Sequence, residues 1–196
     1  MGEIRTMMKE IPSGFRTMQM QCGIWRENRD AFFGDITPRE GQEDAYNALA
    51  DLMEHKSRII ILTGESRSGK SFLISGYVND CIREIWGSES QHNMPKYMTF
   101  FDMELSLRAA QTKGTMDILF RDLVKVPQLA IDEVGRGKWS EFTSTFFTNL
   151  LIRRYGEMRE TVMATNLNGQ ELVEMMDLAL IERLKENRAI VKIKKV

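Results

Sequence analysis

A chain of 196 residues, 42% hydrophobic and 28% charged, has the size and composition of one soluble globular domain, and no apolar run approaches the ~20 residues of a membrane span. A net charge of −1 and a pI of about 6.2 exclude a global basic field for gripping nucleic acid, so any contact with DNA has to come from local patches or from several subunits. Cys22, Cys81, His55 and His92 fit neither a disulfide framework nor a zinc or histidine-built metal site, which predicts a reducing, cytoplasmic setting.

The chain opens on "MGEIRTMMKEIPSGF", which lacks the apolar core of a signal peptide. Residues 1–40 read as an irregular arm, broken by Pro12, Gly14, Gly23, Gly34 and Pro38, with Trp25, Phe32 and Phe33 as hooks that pack it on the core or present it to a partner. From Gly41 the pattern turns helical, with Ala45, Leu49, Leu52 and Met53 on one face, and residues 41–196 form the second unit. Strand-like runs follow at Arg58–Thr63, Tyr97–Phe101, Leu129–Ile131, Thr161–Thr165 and Ala189–Lys194, separated by helical patterns over about 70–86, 103–111, 115–125, 141–155 and 170–186. Strands that alternate with helices predict an α/β sandwich of three layers, a parallel sheet covered on both faces. Phe142, Phe146, Phe147, Leu150 and Leu151 recur at helical spacing as a core stripe. The basic run "KENRAIVKIKK" reads as a solvated strand edge or as a rim that touches phosphates.

Chemistry enters at "IIILTGESRSGKSFLI". Gly64-Glu65-Ser66-Arg67-Ser68-Gly69-Lys70-Ser71 fits G-x-x-x-x-G-K-[ST] between a strand-like and a helix-like run, the context a phosphate-binding loop requires, and these residues with Phe72 are the candidate nucleotide contacts. Backbone N–H groups of such a loop close around phosphates at the helix N-terminus. Lys70 is placed to reach the β- and γ-phosphates of ATP, and the Ser71 hydroxyl to bind Mg²⁺. In "PQLAIDEVG" a short strand closes on Asp132, a candidate for the magnesium shell, and Glu133, a candidate to polarise the attacking water. Adjacent acids would face opposite sides of a regular strand, so at least one should lie past its end. In "ETVMATNLNG" Asn166 is either a turn residue or an amide that reaches the γ-phosphate.

The ordered set of lysine loop, "LAIDEVG", "TNL" and "ALIERLKENRAIVKI", with "IPSGF", "GQEDA" and "LLIRRYGE", resembles the AAA+ ATPases of the DnaC/IstB type, which are bacterial helicase loaders and transposition helpers. The resemblance spans about residues 11–196 and implies a P-loop NTPase core with a five-stranded parallel sheet and no C-terminal helical lid. It implies ATP hydrolysis in a homo-oligomeric ring or spiral, with Asn166 as the sensor asparagine and Arg183 projecting into a neighbour's nucleotide. The plain alternative for Arg183 is a surface ion pair with a nearby glutamate. The family lines its DNA channel just after the acidic pair, which points here to Lys138, Ser140 and Phe142, although Phe142 also starts the core stripe. Two departures stand out: Arg67 occupies a position where the family usually has glycine, and only a short arm precedes the ATPase core. The expected role is loading of a replicative DNA helicase onto single-stranded DNA. The alternatives are a transposition helper that recruits a transposase and a nucleotide-gated adaptor with little turnover.

Overall fold

Four consecutive apolar residues and a threonine make up Ile59–Thr63 (β1) and are all buried, the signature of a strand with elements packed on both faces. A computed structural model of the chain describes residues 11–54, 58–88, 93–136, 139–187 and 189–194. Around β1 it assembles Lys96–Thr99 (β2), Gln128–Val134 (β3), Glu160–Thr165 (β4) and Ile190–Lys192 (β5) into one parallel sheet of order β2-β3-β4-β1-β5. The helices are Ser13–Gln21 (α1), Glu43–Met53 (α2), Lys70–Ile85 (α3), Phe100–Lys113 (α4), Met116–Lys125 (α5), Glu141–Gly156 (α6), Gly169–Met175 (α7) and Leu178–Glu186 (α8).

Alternation along the strands divides the interior. Ile60, Leu62, Ala130, Val162 and Ala164 face a core shared with α2, α3 and the arm, whereas Ile59, Ile61, Leu129, Ile131 and Met163 face a second core closed by α4, α6 and α8. Phe146, Phe147, Leu150 and Leu151 are buried in the latter, but Phe142 is 45% exposed and stands apart from the stripe predicted to include it.

Three boundaries differ from expectation, each through a capping residue. β2 ends at Thr99 because Thr99 and Asp102 form a reciprocal capping box, so Phe100 and Phe101 begin α4 instead of extending the strand. The single helix expected over 170–186 is two, because the Asp177 carboxylate accepts from the N–H groups of Ala179 and Leu180 and starts α8 afresh. The arm is not irregular throughout. Pro12 takes the N-cap of α1, and Phe15, Met18 and Gln19 form its buried face. Gly14 lets Trp86 approach where a Cβ would come within 2.8 Å of the indole.

Polar groups then fasten the arm to α3. Asn79 donates to the carbonyls of Asn28 (2.9 Å) and Ala31 (2.6 Å) and accepts from Gln19 (2.7 Å), while Asp80 accepts from the Gly34 N–H at 2.8 Å. Phe32 and Phe33 are buried hooks as expected, but Trp25 is 47% exposed. Residues 22–24 also cover the outer edge of β2, where the Tyr97 N–H donates to the Cys22 carbonyl at 2.7 Å.

At the opposite end of the sheet, fully buried Arg154 donates to the carbonyls of Leu123 (2.6 Å), Val126 (2.7 Å) and Glu160 (2.5 Å) and to the Thr161 hydroxyl (2.8 Å). Burial pushes its guanidinium down to about 9, still charged at neutral pH. Arg154→Leu leaves those carbonyls without a donor and is expected to destabilise the fold by about 3 kcal/mol or more, with Arg154→Lys rescuing only part. An unfolding free energy from urea titration that falls by less than a third of that amount would contradict this bolting role.

Candidate nucleotide site

The lysine loop joins the end of β1 to the start of α3, at the carboxyl edge of the sheet. Gly69 sits in the left-handed region at φ 92°, and a Cβ there would lie 2.3 Å from the Gln42 amide nitrogen, so the position tolerates only glycine. Gln42 itself donates to the Ser68 carbonyl at 2.7 Å and accepts from the Arg39 N–H, bracing the loop from the segment before α2. Arg67 also has φ 66°, which explains why glycine suits this position. The arginine holds the same backbone at a cost of about 1 kcal/mol and points its side chain outward, exposed rather than crowding the loop.

Lys70 is 7% exposed and spends all three protons on its own loop: Gly64 O at 2.8 Å, Glu65 O at 2.7 Å and the Ser68 hydroxyl at 3.2 Å. Burial lowers its pKa from the usual lysine value, and the charge of Asp132 works in the other direction. Gly64 and Glu65 thus serve through their carbonyls, beneath the cleft rather than on its wall.

The acidic pair lies inside β3, not past its end. Ile131 pairs with Met163 and Val134 with Thr165, so three steps of β3 span two of β4, and Glu133 absorbs the surplus at φ 53°. This bulge overrides the alternation that would have separated the two acids. Asp132 is buried and accepts from the Tyr97 hydroxyl at 2.5 Å and from the Glu133 N–H at 2.7 Å. Burial raises the pKa of Tyr97 well above the usual phenol value, and the Asp132 charge adds to it, so the hydroxyl stays a donor. Glu133 is partly exposed and forms an ion pair with Arg136. Asn166 follows β4, exposed, and donates to the Ser66 hydroxyl at 3.2 Å.

A cleft of about 520 Å³ brings together Ser66–Phe72, Asp132, Glu133 and Asn166, a volume suited to a small polar ligand. Glu27 and Asn28 of the arm line it too, which sequence reasoning missed. A second depression of about 460 Å³ shares Gly69 and Phe72 with the first and is walled by Phe32, Ile36, Thr37 and Gln42. Tyr97 and Gln42 went unseen as well: a strand tyrosine reads as core and a helix-start glutamine as solvent, though "GQEDA" marked the segment.

Arg183 is not in this cleft. It lies on α8 with its guanidinium 5.8 Å from the centre of the Tyr155 ring, and among the described residues no carboxylate pairs with it. Ser140 caps α6 by accepting from the Thr143 N–H, Phe142 is exposed as the second residue of the helix, and Lys138 lies outside the described residues. Among the described residues no group of three or more His, Cys, Asp or Glu side chains could hold a metal. The donor set that fits is a hydroxyl and a carboxylate, Ser71 and Asp132, the sparse protein ligation typical of Mg²⁺ held with substrate phosphates.

The sheet order and the helices around it give the α/β fold seen in AAA+ P-loop domains. No family model matches the chain. The chain is similar to the replicative helicase loader DnaC of Escherichia coli K12, 22% identical over 178 residues that cover 88% of this chain and 66% of DnaC. A crystal structure of the DnaC helicase loader superposes with a TM-score of 0.71 at 15% identity, over 87% of this chain and 100% of that one. AMPPCP-bound DnaA from Aquifex aeolicus gives 0.71 at 18% identity, over 84% of this chain and 50% of DnaA, and DnaI gives 0.66 at 20%, over 88% and 95%. The chain therefore spans somewhat less than two thirds of the length of the DnaC it matches. The resemblance to DnaC-type AAA+ proteins holds in sequence and in fold.

If Tyr97 positions the metal ligand, Tyr97→Phe is expected to weaken Mg²⁺-dependent ATP binding by about fivefold and to leave binding in EDTA unchanged. Isothermal calorimetry in the two buffers measures this, and equal losses in both would assign Tyr97 a purely structural role.

Proposed function

We propose that this protein is an AAA+ ATPase that assembles with itself on single-stranded DNA and loads a replicative helicase. The observation that carries the reading is the meeting of buried Lys70, at the start of α3, with buried Asp132 and Glu133, in the bulge of β3, in one cleft at the end of a parallel sheet. A chance lysine loop would have no reason to share a cleft with two acids set at the sheet edge by a strand bulge.

On binding ATP, the Lys70 ammonium would exchange its loop carbonyls for phosphate oxygens, a trade of acceptors that keeps the charge satisfied. Ser71 and Asp132 would hold magnesium, which supplies neutralisation of the phosphate charge. Glu133 is the group to orient and deprotonate the attacking water, and Asn166, already bonded to Ser66, is an amide lining the same cleft. The depression beside Gly69 and Phe72 fits the nucleobase. Arg183 does not line its own cleft, which leaves it available to complete the site of a second copy. Exposed Phe142 and Ser140 provide an aromatic face and a hydroxyl for DNA, and Lys138, two positions before Ser140 in the sequence, would add a charge. The DnaC and DnaI likenesses support the loader role, and a DnaA of the same fold binds AMPPCP and single-stranded DNA. None of the described helices is long and apolar enough to cross a membrane.

A second reading, a nucleotide-gated adaptor with little turnover, is favoured by one feature: Glu133 is engaged by Arg136 rather than free to act as a base.

Glu133→Gln is expected to keep ATP binding and to lower phosphate release by roughly a hundredfold or more, as read by a coupled phosphate assay. Undiminished turnover in that variant would refute the assignment of the base. Arg183→Ala is expected to bind ATP yet to lose roughly a hundredfold of the hydrolysis that rises with protein concentration. A wild-type specific activity that does not depend on protein concentration would rule out the shared site.

A further inference from the structure

Arg136 stands on a wall between two cavities. One is the nucleotide cleft; the other is a depression of about 480 Å³ lined by Trp25, Thr99, Phe101, Asp102, Glu133 and Arg136. Its position is fixed by a tight turn. The Arg136 N–H donates to the Glu133 carbonyl at 3.0 Å, Glu133 and Gly135 both take positive φ, and Gly135 lies under Leu167, where a Cβ would meet the side chain at 2.3 Å. The guanidinium is 74% exposed while its partner carboxylate is 33% exposed, so most of its five donors face outward. The other carboxylate in the depression, Asp102, is committed to the Thr99 cap.

Facing Arg136 are two aromatic side chains that folding leaves uncovered, Trp25 at 47% exposure and Phe101 at 61%. They come from different elements, the arm and α4, and flank the same cation. Flat apolar faces beside a forked cation match one class of ligand: an unpaired nucleobase with its phosphodiester. In a duplex the base faces are stacked on one another, so the site selects single strands.

Resting on the ATPase reading above, we propose that Arg136 is a latch that engages Glu133 in the resting protein, and that a single-stranded nucleotide seated on Trp25 and Phe101 draws it off through its phosphodiester, freeing Glu133 for hydrolysis. Exposed ion pairs of this kind are weak, so one phosphodiester suffices to compete. The same weakness sets the scale of the effect, a few-fold change in resting turnover rather than an all-or-none switch.

The test uses the full chain, a fluorescein-labelled oligothymidylate and ATP with Mg²⁺. Arg136→Ala is expected to raise DNA-free turnover about three- to fivefold and to abolish further stimulation by the oligonucleotide. Trp25→Ala and, independently, Phe101→Ala are expected to weaken oligothymidylate binding about tenfold by anisotropy, without ATP present. DNA-free turnover of Arg136→Ala at or below the wild-type rate overturns the latch. Anisotropy unchanged in both aromatic variants, or equal affinity for duplex, overturns the nucleic-acid occupant, as does stimulation by a protein partner alone. A wild type that binds no ATP and shows no turnover with or without DNA sinks the ATPase reading and the latch together, whereas an active wild type with an unaltered Arg136→Ala sinks the latch only.

Discussion

One extra residue in β3 sets the chemistry of this molecule. Thr165 on β4 is level with Thr63 on one side and with Val134 on the other, so the lysine loop and the acidic segment emerge at the same height. A regular β3 would reach that height with Asp132 and Glu133 on opposite faces of the sheet. The bulge places both at the edge, one buried against Tyr97 and one toward solvent. The cost is a glutamate in left-handed backbone, strain of the kind that persists only where neighbouring packing enforces it. Here the enforcement comes from Thr165, whose hydroxyl donates to the Val134 carbonyl at 2.7 Å, and from Leu167 lying over Gly135.

The parallel sheet was legible because its strands are apolar on both faces, and the cleft was legible because the glycine and lysine spacing of a phosphate loop has few other uses. What escaped the sequence were effects of tertiary pairing. The bulge has no local signature. Tyr97 looks like any strand aromatic until its hydroxyl is seen to hold Asp132. In α1 the buried face contains Gln19, so the apolar periodicity is interrupted where a partner amide, Asn79, makes a buried polar group tolerable. Phe142 matched the stripe on α6 in spacing alone, while the cap at Ser140 sets the first turn outward.

The arm spans more of the site than its composition announces. Its residues touch the cleft at Glu27 and Asn28, the adjoining depression at Phe32 and Ile36, and the aromatic hollow at Trp25. It is secured to α3, the helix that begins with Lys70, through Asn79 and Asp80. Rigid attachment to that helix means that the walls of all three cavities move with the phosphate loop rather than independently of it.

Tyr97 is the point where this matters most. Its main chain meets the arm at Cys22 while its side chain meets Asp132, so a single residue is clamped from outside the sheet and acts inside it. Shortening the polypeptide to begin at the loop before α2 would bare a hydrogen-bonding margin to self-association and slacken the anchor of Asp132 in one stroke. A fragment trimmed in this way would lose both holds at once, and its behaviour would say nothing about the intact chain.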